Sequence, residues 1–172
     1  GAPEIAEIVA DLRTYLPDIP PPAKVESPQY ARFRLFESLT AYLRAVAVDR
    51  PLVILLDDLQ WADQSSLMYL EFLAAALGDS AILLVGMYRD VGLSPQHPLV
   101  QALGALTREP HFQRMALKGL GEDDVARLIE VAAEIDPSPE LVTWVYRQTE
   151  GNPLFVTEVV RLLVQEGEMA PE

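Results

Sequence analysis

Two adjacent carboxylates, Asp57 and Asp58, close a run of five apolar residues, Leu52-Val-Ile-Leu-Leu56. Such a run after the Arg50-Pro51 break predicts a strand buried on both faces, of the kind found in parallel sheets with helices on each side. Open α/β sheets bind ligands just outside the carboxyl ends of their strands, where these acids fall. A carboxylate in that place suits a hydrated Mg²⁺, an ion that keeps most of its waters and is held by one or two carboxylates together with substrate phosphates. A plainer reading uses the same residues: paired acids after a strand start a turn and cap the next helix. The dipeptide alone does not choose between the two. Other metal chemistry finds little support, since the sequence has no cysteine and its two histidines, His97 and His111, are isolated and make a poor zinc set.

The acids need elements to hold them. Residues 1–30 carry a weak helical pattern (Ile5, Ile8, Val9, Leu12) and then Pro17, Pro20, Pro21 and Pro22, a density that reads as an extended connector. From Gln29 to Val48 apolar residues recur at Phe33, Phe36, Leu39, Leu43 and Val46, a spacing that predicts a helix with one face packed on the sheet. Beyond the acids, Asp63 is placed to cap a helix over 65–77 whose buried stripe is Leu67, Leu70, Leu73 and Leu77, with Gly78 as its stop. Residues 81–87 predict a second buried strand with Tyr88-Arg89-Asp90 at its carboxyl end. A loop over 91–98 holds His97 as a solvated residue, 99–106 makes a short helix, and 111–117 leads into a third strand before Gly119 and Gly121 break the chain.

The remainder is helical. Residues 122–135 place Val125, Leu128, Ile129 and Ala132 on one face, with acids in the first turn where the helix dipole favours them. Ser138-Pro139 starts another helix. Gly151-Asn152-Pro153 ends that helix and caps the next, with glycine as left-handed terminator, asparagine as N-cap and proline at the first helical position. The last helix carries Phe155, Val159, Val160 and Leu163 before Gly167 and a frayed tail, 168–172. The division is a connector over 1–30, an α/β part over 31–118 and a helical part over 119–172.

The string Asp58-Leu-Gln-Trp-Ala-Asp63, with the apolar strand before it, resembles the Walker B strand and the segment that follows it in STAND-class signalling ATPases. These are the MalT-like and LuxR-type large regulators, whose nucleotide-binding module is related to NB-ARC domains. Arg32-Phe-Arg-Leu-Phe36 resembles the helix that precedes Walker B in them, and Glu150-Gly-Asn-Pro-Leu-Phe155 resembles the GxP motif of their helical subdomains. The resemblance implies an α/β fold with a partial parallel P-loop NTPase sheet and flanking helices, followed by a small all-α helical subdomain. It implies ATP/ADP and Mg²⁺ as cofactors, Asp57 on the metal, Asp58 positioning or activating the attacking water, and Arg89 as the sensor 1 residue reaching towards the γ-phosphate. It also gives Gly151 and Pro153 to the nucleotide, the proline packing against adenine. A guanidinium suits the role of Arg89, because it offers a planar fork of donors to phosphate oxygens and stays charged. The plainer alternatives are a surface Arg89 paired with Asp90, and a helix junction at Gly151–Pro153 that is complete in itself.

Composition bounds the function. Half of the 172 residues are hydrophobic and 23% are charged, as in a globular chain. The net charge of −13 opposes non-specific attraction to nucleic acid or anionic lipid, so no direct nucleic-acid contact and no membrane contact are expected. No apolar run approaches the ~18 residues that a membrane span needs, and no secretory signal is seen, which predicts a soluble cytoplasmic protein. A P-loop ATPase needs the string G-x-x-x-x-G-K-[ST] to cradle phosphates, and residues 1–172 contain none; the two lysines, Lys24 and Lys118, follow no glycine loop. In the resembled family the P-loop and its strand lie upstream in sequence of the parts present here, and within the sheet that strand lies between the sensor 1 strand and the last strand. The expectation is an amino-terminally truncated module that by itself binds ATP weakly and does not hydrolyse it. Two functions follow. One is a nucleotide-dependent signalling switch ATPase acting with sensor and effector domains of the same polypeptide, with nucleotide-dependent self-association as a further possibility; its effector can be a helix-turn-helix, a cyclase or a kinase. The alternative is a protein-interaction or scaffold module that binds no nucleotide.

Overall fold

The computed structural model describes residues 1–24, 27–90 and 92–166, and the chain divides into two compact units, 1–113 and 114–172. The first is mixed α/β. It begins with two single-turn helices, α1 (Ala2–Ile5) and α2 (Leu12–Tyr15), and the proline-rich stretch after them has no regular structure. The long helix α3 (Pro28–Asp49) starts with proline at its first position and ends before Pro51.

Strand β1 (Leu52–Leu56) crosses over through helix α4 (Gln64–Ala76) to strand β2 (Ile82–Gly86), and the two strands pair in parallel from Leu52↔Ile82 to Leu56↔Gly86. Helix α5 (Pro98–Leu106) follows. The core of this unit lies between one face of the strand pair and α4 and α5: Leu67, Leu70, Leu99, Ala102 and Leu106 are buried, with Leu56 and Leu84 packed against them from the sheet. Leu99 is fully enclosed; burying such a side chain stabilises the fold by about 1.5–3 kcal/mol.

Here the structure departs from the expected strand buried on both faces. Leu52, Ile54 and Leu56 are half-buried, whereas Val53 and Leu55 are each 63% exposed and Leu83, the partner of Val53, is 57% exposed. Side chains alternate across a strand, so α4 and α5 cover one face and leave the other to solvent. Helix α3 does not pack principally on the sheet, as its periodicity had suggested. Its aromatic ridge meets α4: Phe36 lies 5.1 Å from Tyr69 and 5.8 Å from Phe72 between ring centroids, and Phe33 meets Phe72 edge-on at 5.6 Å. Rings at offset and edge geometries attract beyond the area they bury, and α4 presents two of them to α3. The arginines of this helix are also engaged, Arg34 with the buried Glu4 of α1 and Arg32 with Met68 Sδ. The Glu4 carboxyl is held below its usual range by a backbone hydrogen bond first; burial opposes the shift and Arg34 adds to it.

The expected third strand over 111–117 does not form; the described residues contain a two-stranded sheet, and Met115 and Leu117 stand out in water. Alternating apolar residues become a strand only when they pair with an edge, and among the described residues this stretch pairs with none. This is a mixed α/β arrangement consistent with part of a P-loop fold, and the described residues do not show that fold's full sheet.

The second unit is all-helical: α6 (Glu122–Ala133), α7 (Pro139–Thr149) and α8 (Pro153–Gln165). Val125, Ile129, Val142, Val145, Val156 and Val160 form its closed core. Each helix starts as the sequence predicts. Ser138 Oγ accepts from Leu141 N at 3.3 Å and Asn152 Oδ1 from Leu154 N at 3.1 Å, each followed by proline in the first helical turn. Gly167 and the frayed tail 168–172 lie outside the described residues. No helix among the described residues is long and apolar enough to cross a membrane.

Candidate functional site

Parallel pairing brings the carboxyl ends of β1 and β2 side by side, and with them Asp57, Asp58 and Arg89. The strand ends are joined by backbone: Met87 N donates to Leu56 O at 2.8 Å and Leu59 N to Met87 O at 3.0 Å. Leu59, buried beneath this turn, anchors it in the α4–α5 core. Between the two bonds the chain reverses at Asp58, whose φ of 52° and ψ of 41° are left-handed. Aspartate tolerates that conformation better than most residues, and here a short side-chain bond supports it: Asp57 Oδ1 accepts from Asp58 N at 2.8 Å. A single 3₁₀ turn, Leu59–Trp61, carries the chain on to α4.

The second acid is held differently from the first. Gln60 Nε2 donates to Asp58 Oδ1 at 2.7 Å, and Gln60 Oε1 accepts from the backbone N–H of Arg89 at 3.2 Å. The Arg89 guanidinium lies with Nε 4.0 Å from Asp58 Oδ1, its side chain 82% exposed and that of Asp58 52% exposed. Its charged neighbour is therefore Asp58, not Asp90 as the plainer reading had it. At this exposure the pair contributes little, because water screens it and two mobile side chains must be ordered to form it. Gln60 carries no signal in sequence: its partner across the turn, Arg89, is 29 residues away, and no local pattern announces such a bond.

Asp63 is structural, as expected. Its Oδ1 accepts from Ser65 N at 2.7 Å and Ser66 N at 3.1 Å, and its Oδ2 from Ser66 Oγ at 2.7 Å, which caps α4. These bonds, the Ser66 hydroxyl first, hold its carboxyl below the usual range. His97, expected to be a solvated loop residue, instead caps α5, its Nδ1 accepting from Leu99 N at 3.2 Å.

Gly151 and Pro153 lie in the helical unit, and there Gly151 has a full structural explanation. Its φ is +73°, and a Cβ on it would come within 2.1 Å of Leu120 O. The chain at Leu120 passes directly over the α7–α8 junction, with Leu120 N donating to Gly151 O at 2.8 Å. Gly119 is needed for the same reason, since a Cβ there would meet Glu150 O at 2.2 Å. Pro153 occupies the first turn of α8, where no intrahelical N–H bond is lost.

The donor set at the strand ends suits a metal that is shared with a ligand and does not suit one caged by protein. Asp57 is exposed and keeps Oδ2 clear of the hydrogen bond that fixes Oδ1. The described residues include no group of three or more His, Cys, Asp or Glu that could hold an ion together. Mg²⁺ takes one or two carboxylates and completes its shell with water and phosphate, and Asp57 is the residue here that could serve it. A surface groove of about 470 Å³, lined by Arg44, Ala47, Val48, Asp79 and Ser80, lies at the opposite, amino end of the strands and includes none of these residues.

A parallel strand that ends in two acids lies beside a strand that ends in an arginine, at the sheet edge where open α/β folds bind ligands. Residues 2–85 match the family described as AAA ATPase domain, which supports an AAA-type ATPase module and takes in Asp57 and Asp58 but stops short of Arg89. Residues 123–169, with Gly151 and Pro153, match a domain of unknown function (DUF8739). No curated protein matches the chain. No solved structure matches it either.

Proposed function

We propose that this chain is part of a nucleotide-dependent signalling switch ATPase of the STAND class, regulating transcription or another output through sensor and effector domains of the same polypeptide, in the cytoplasm. The observation that carries the reading is the juxtaposition of Asp57, Asp58 and Arg89 at the carboxyl ends of two parallel strands, inside or beside the stretch similar to an AAA ATPase domain. In this reading Asp57 holds Mg²⁺, which neutralises charge on the transferring phosphoryl group when bound. Asp58 positions or activates the attacking water, Arg89 meets the γ-phosphate, and Pro153 with Gly151 contributes to the base site. ATP and ADP then bias two states of the protein, and the attached domains, or a second copy of the protein, read which state is occupied.

The phosphate-binding loop is not among residues 1–172, so turnover requires sequence from outside them. The same fact favours the second reading, a protein-interaction module that binds no nucleotide. One experiment separates them: ATP hydrolysis and Mg²⁺ dependence in a form of the protein that carries a phosphate-binding loop, with and without Asp57→Ala. Abolished Mg²⁺-dependent turnover in the variant supports the switch. Wild-type rates in the variant remove the metal assignment, and no nucleotide binding in either form leaves the interaction module as the better reading.

A further inference from the structure

We infer that Gln60 is a positioning residue, a two-ended amide strut that fixes the Asp58 carboxylate relative to the end of β2. The inference rests on the role proposed above for Asp58. Its geometry is asymmetric in a way that leaves one assignment. A backbone N–H can only donate and an ionised carboxylate can only accept, so the amide must turn its oxygen to Arg89 N and its nitrogen to Asp58, as observed at 3.2 and 2.7 Å. A side chain carrying both a donor and an acceptor at this reach meets both demands. Asparagine is one methylene shorter, and glutamate has the reach but no donor when ionised.

The other contacts of Asp58 described above do not fix its direction. Its backbone N–H is taken by Asp57, and its charged neighbour Arg89 stands 4.0 Å away on a side chain that is mostly in water. A screened pair at that distance attracts without fixing a direction. A short bond from an amide to a carboxylate is directional and stronger than a neutral hydrogen bond. The strut also has a firm base. Leu59, next to it, is buried in the core and bonded to Met87 O, and the Arg89 backbone is the continuation of β2. Gln60 thereby transmits the register of the two strands to the orientation of one carboxylate. An acid that positions water acts in the transition state far more than in ground-state binding, so losing its orientation lowers turnover and leaves nucleotide affinity nearly unchanged.

Two variants separate the two ends of the strut. Gln60→Ala removes both bonds; Gln60→Glu keeps an acceptor for Arg89 N but places a carboxylate against Asp58. The first measurement is amide hydrogen exchange on the 172-residue chain, which needs no nucleotide. The Arg89 N–H should exchange about fivefold faster or more in Gln60→Ala and stay protected in Gln60→Glu. The second is kcat and nucleotide Kd in a hydrolysing form of the protein that carries a phosphate-binding loop. Both variants should lower kcat about 10–100-fold with Kd within about twofold of wild type. Unchanged Arg89 exchange in Gln60→Ala overturns the strut. Wild-type kcat in both Gln60 variants, while Asp58→Asn is slow, overturns the positioning role and leaves the ATPase reading standing. Wild-type kcat in Asp58→Asn overturns the reading of Asp58 itself, and this role with it.

Discussion

Leu120 and Gly151 are bonded backbone to backbone, Leu120 N to Gly151 O at 2.8 Å, so closely that neither Gly119 nor Gly151 has room for a Cβ. The glycine of Gly151-Asn152-Pro153 is thus required by the fold whether or not a nucleotide ever meets it. Gly151→Ala combines a left-handed backbone with a collision against backbone atoms, and should destabilise the helical unit by about 2–4 kcal/mol. Pro153→Ala keeps a good helix former in the first turn and should change stability by less than ~1 kcal/mol. Urea denaturation followed by helical signal measures both. Under the proposed function, Pro153→Ala also weakens nucleotide binding in a P-loop-carrying form of the protein; unchanged affinity would leave the motif a helix junction only.

The α3–α4 contact rests on Phe36, which is buried between Tyr69 and Phe72. Phe36→Ala should cost about 3–5 kcal/mol, the range for emptying an aromatic site in a core. Phe33 touches the same Phe72 from a half-open position, and Phe33→Ala should cost clearly less. Equal losses in thermal unfolding would mean that α3 is held elsewhere.

Asp63 links the start of α4 to pH. Its folded pKa is depressed below the reference 3.8 by the Ser66 hydroxyl and the two amides it caps. A depressed acid stabilises the fold fully above its unfolded pKa, and that contribution is lost as pH falls through the folded value. Asp63→Asn keeps an N-cap acceptor that does not titrate, so it should leave neutral-pH stability nearly unchanged and flatten the decline below about pH 4. Asp63→Ala should be less stable than wild type at neutral pH. Acid titrations of melting temperature for the three proteins check both signs.

Helix α6 ends on Glu134, which is non-glycine, left-handed (φ 58°) and exposed. A side chain raises the energy of that conformation, and a negative charge sits badly against the carbonyl end of a helix. Glu134→Gly should therefore stabilise the helical unit by about 0.5–1 kcal/mol, measured as a shift in urea midpoint at constant m. A loss of stability would show that Glu134 has a partner worth more than the strain.

How much of this could be read beforehand varied with the range of the forces involved. The caps at Asp63, Ser138 and Asn152 were legible because a cap is decided within four residues. The helices were legible from spacing, and so was the βαβ order. The one-sided burial of β1 was not, because Leu52-Val-Ile-Leu-Leu56 is apolar throughout and carries no alternation to say which face meets water. The partner of α3 was not legible either, since periodicity finds an apolar face without naming what covers it. At the site, the acids and Arg89 announced themselves by type and by position after a strand, whereas Gln60 is ordinary in sequence and acquires its role only when β1 and β2 align.

The one-sided pair of strands has a thermodynamic consequence for the acids it carries. Among the described residues each strand has one bonded neighbour, and Val53, Leu55 and Leu83 lie open on the uncovered face. The pair is held through its covered face alone, on α4 and α5, so its outer amides should open through local breathing more readily than those of the α4–α5 core. Under the proposed function, a ligand that needs Asp57 and Asp58 in one fixed relation must first quiet that breathing in the 172-residue chain. Part of its intrinsic affinity is then consumed in ordering, and whatever damps the strands in advance tightens binding without touching the ligand.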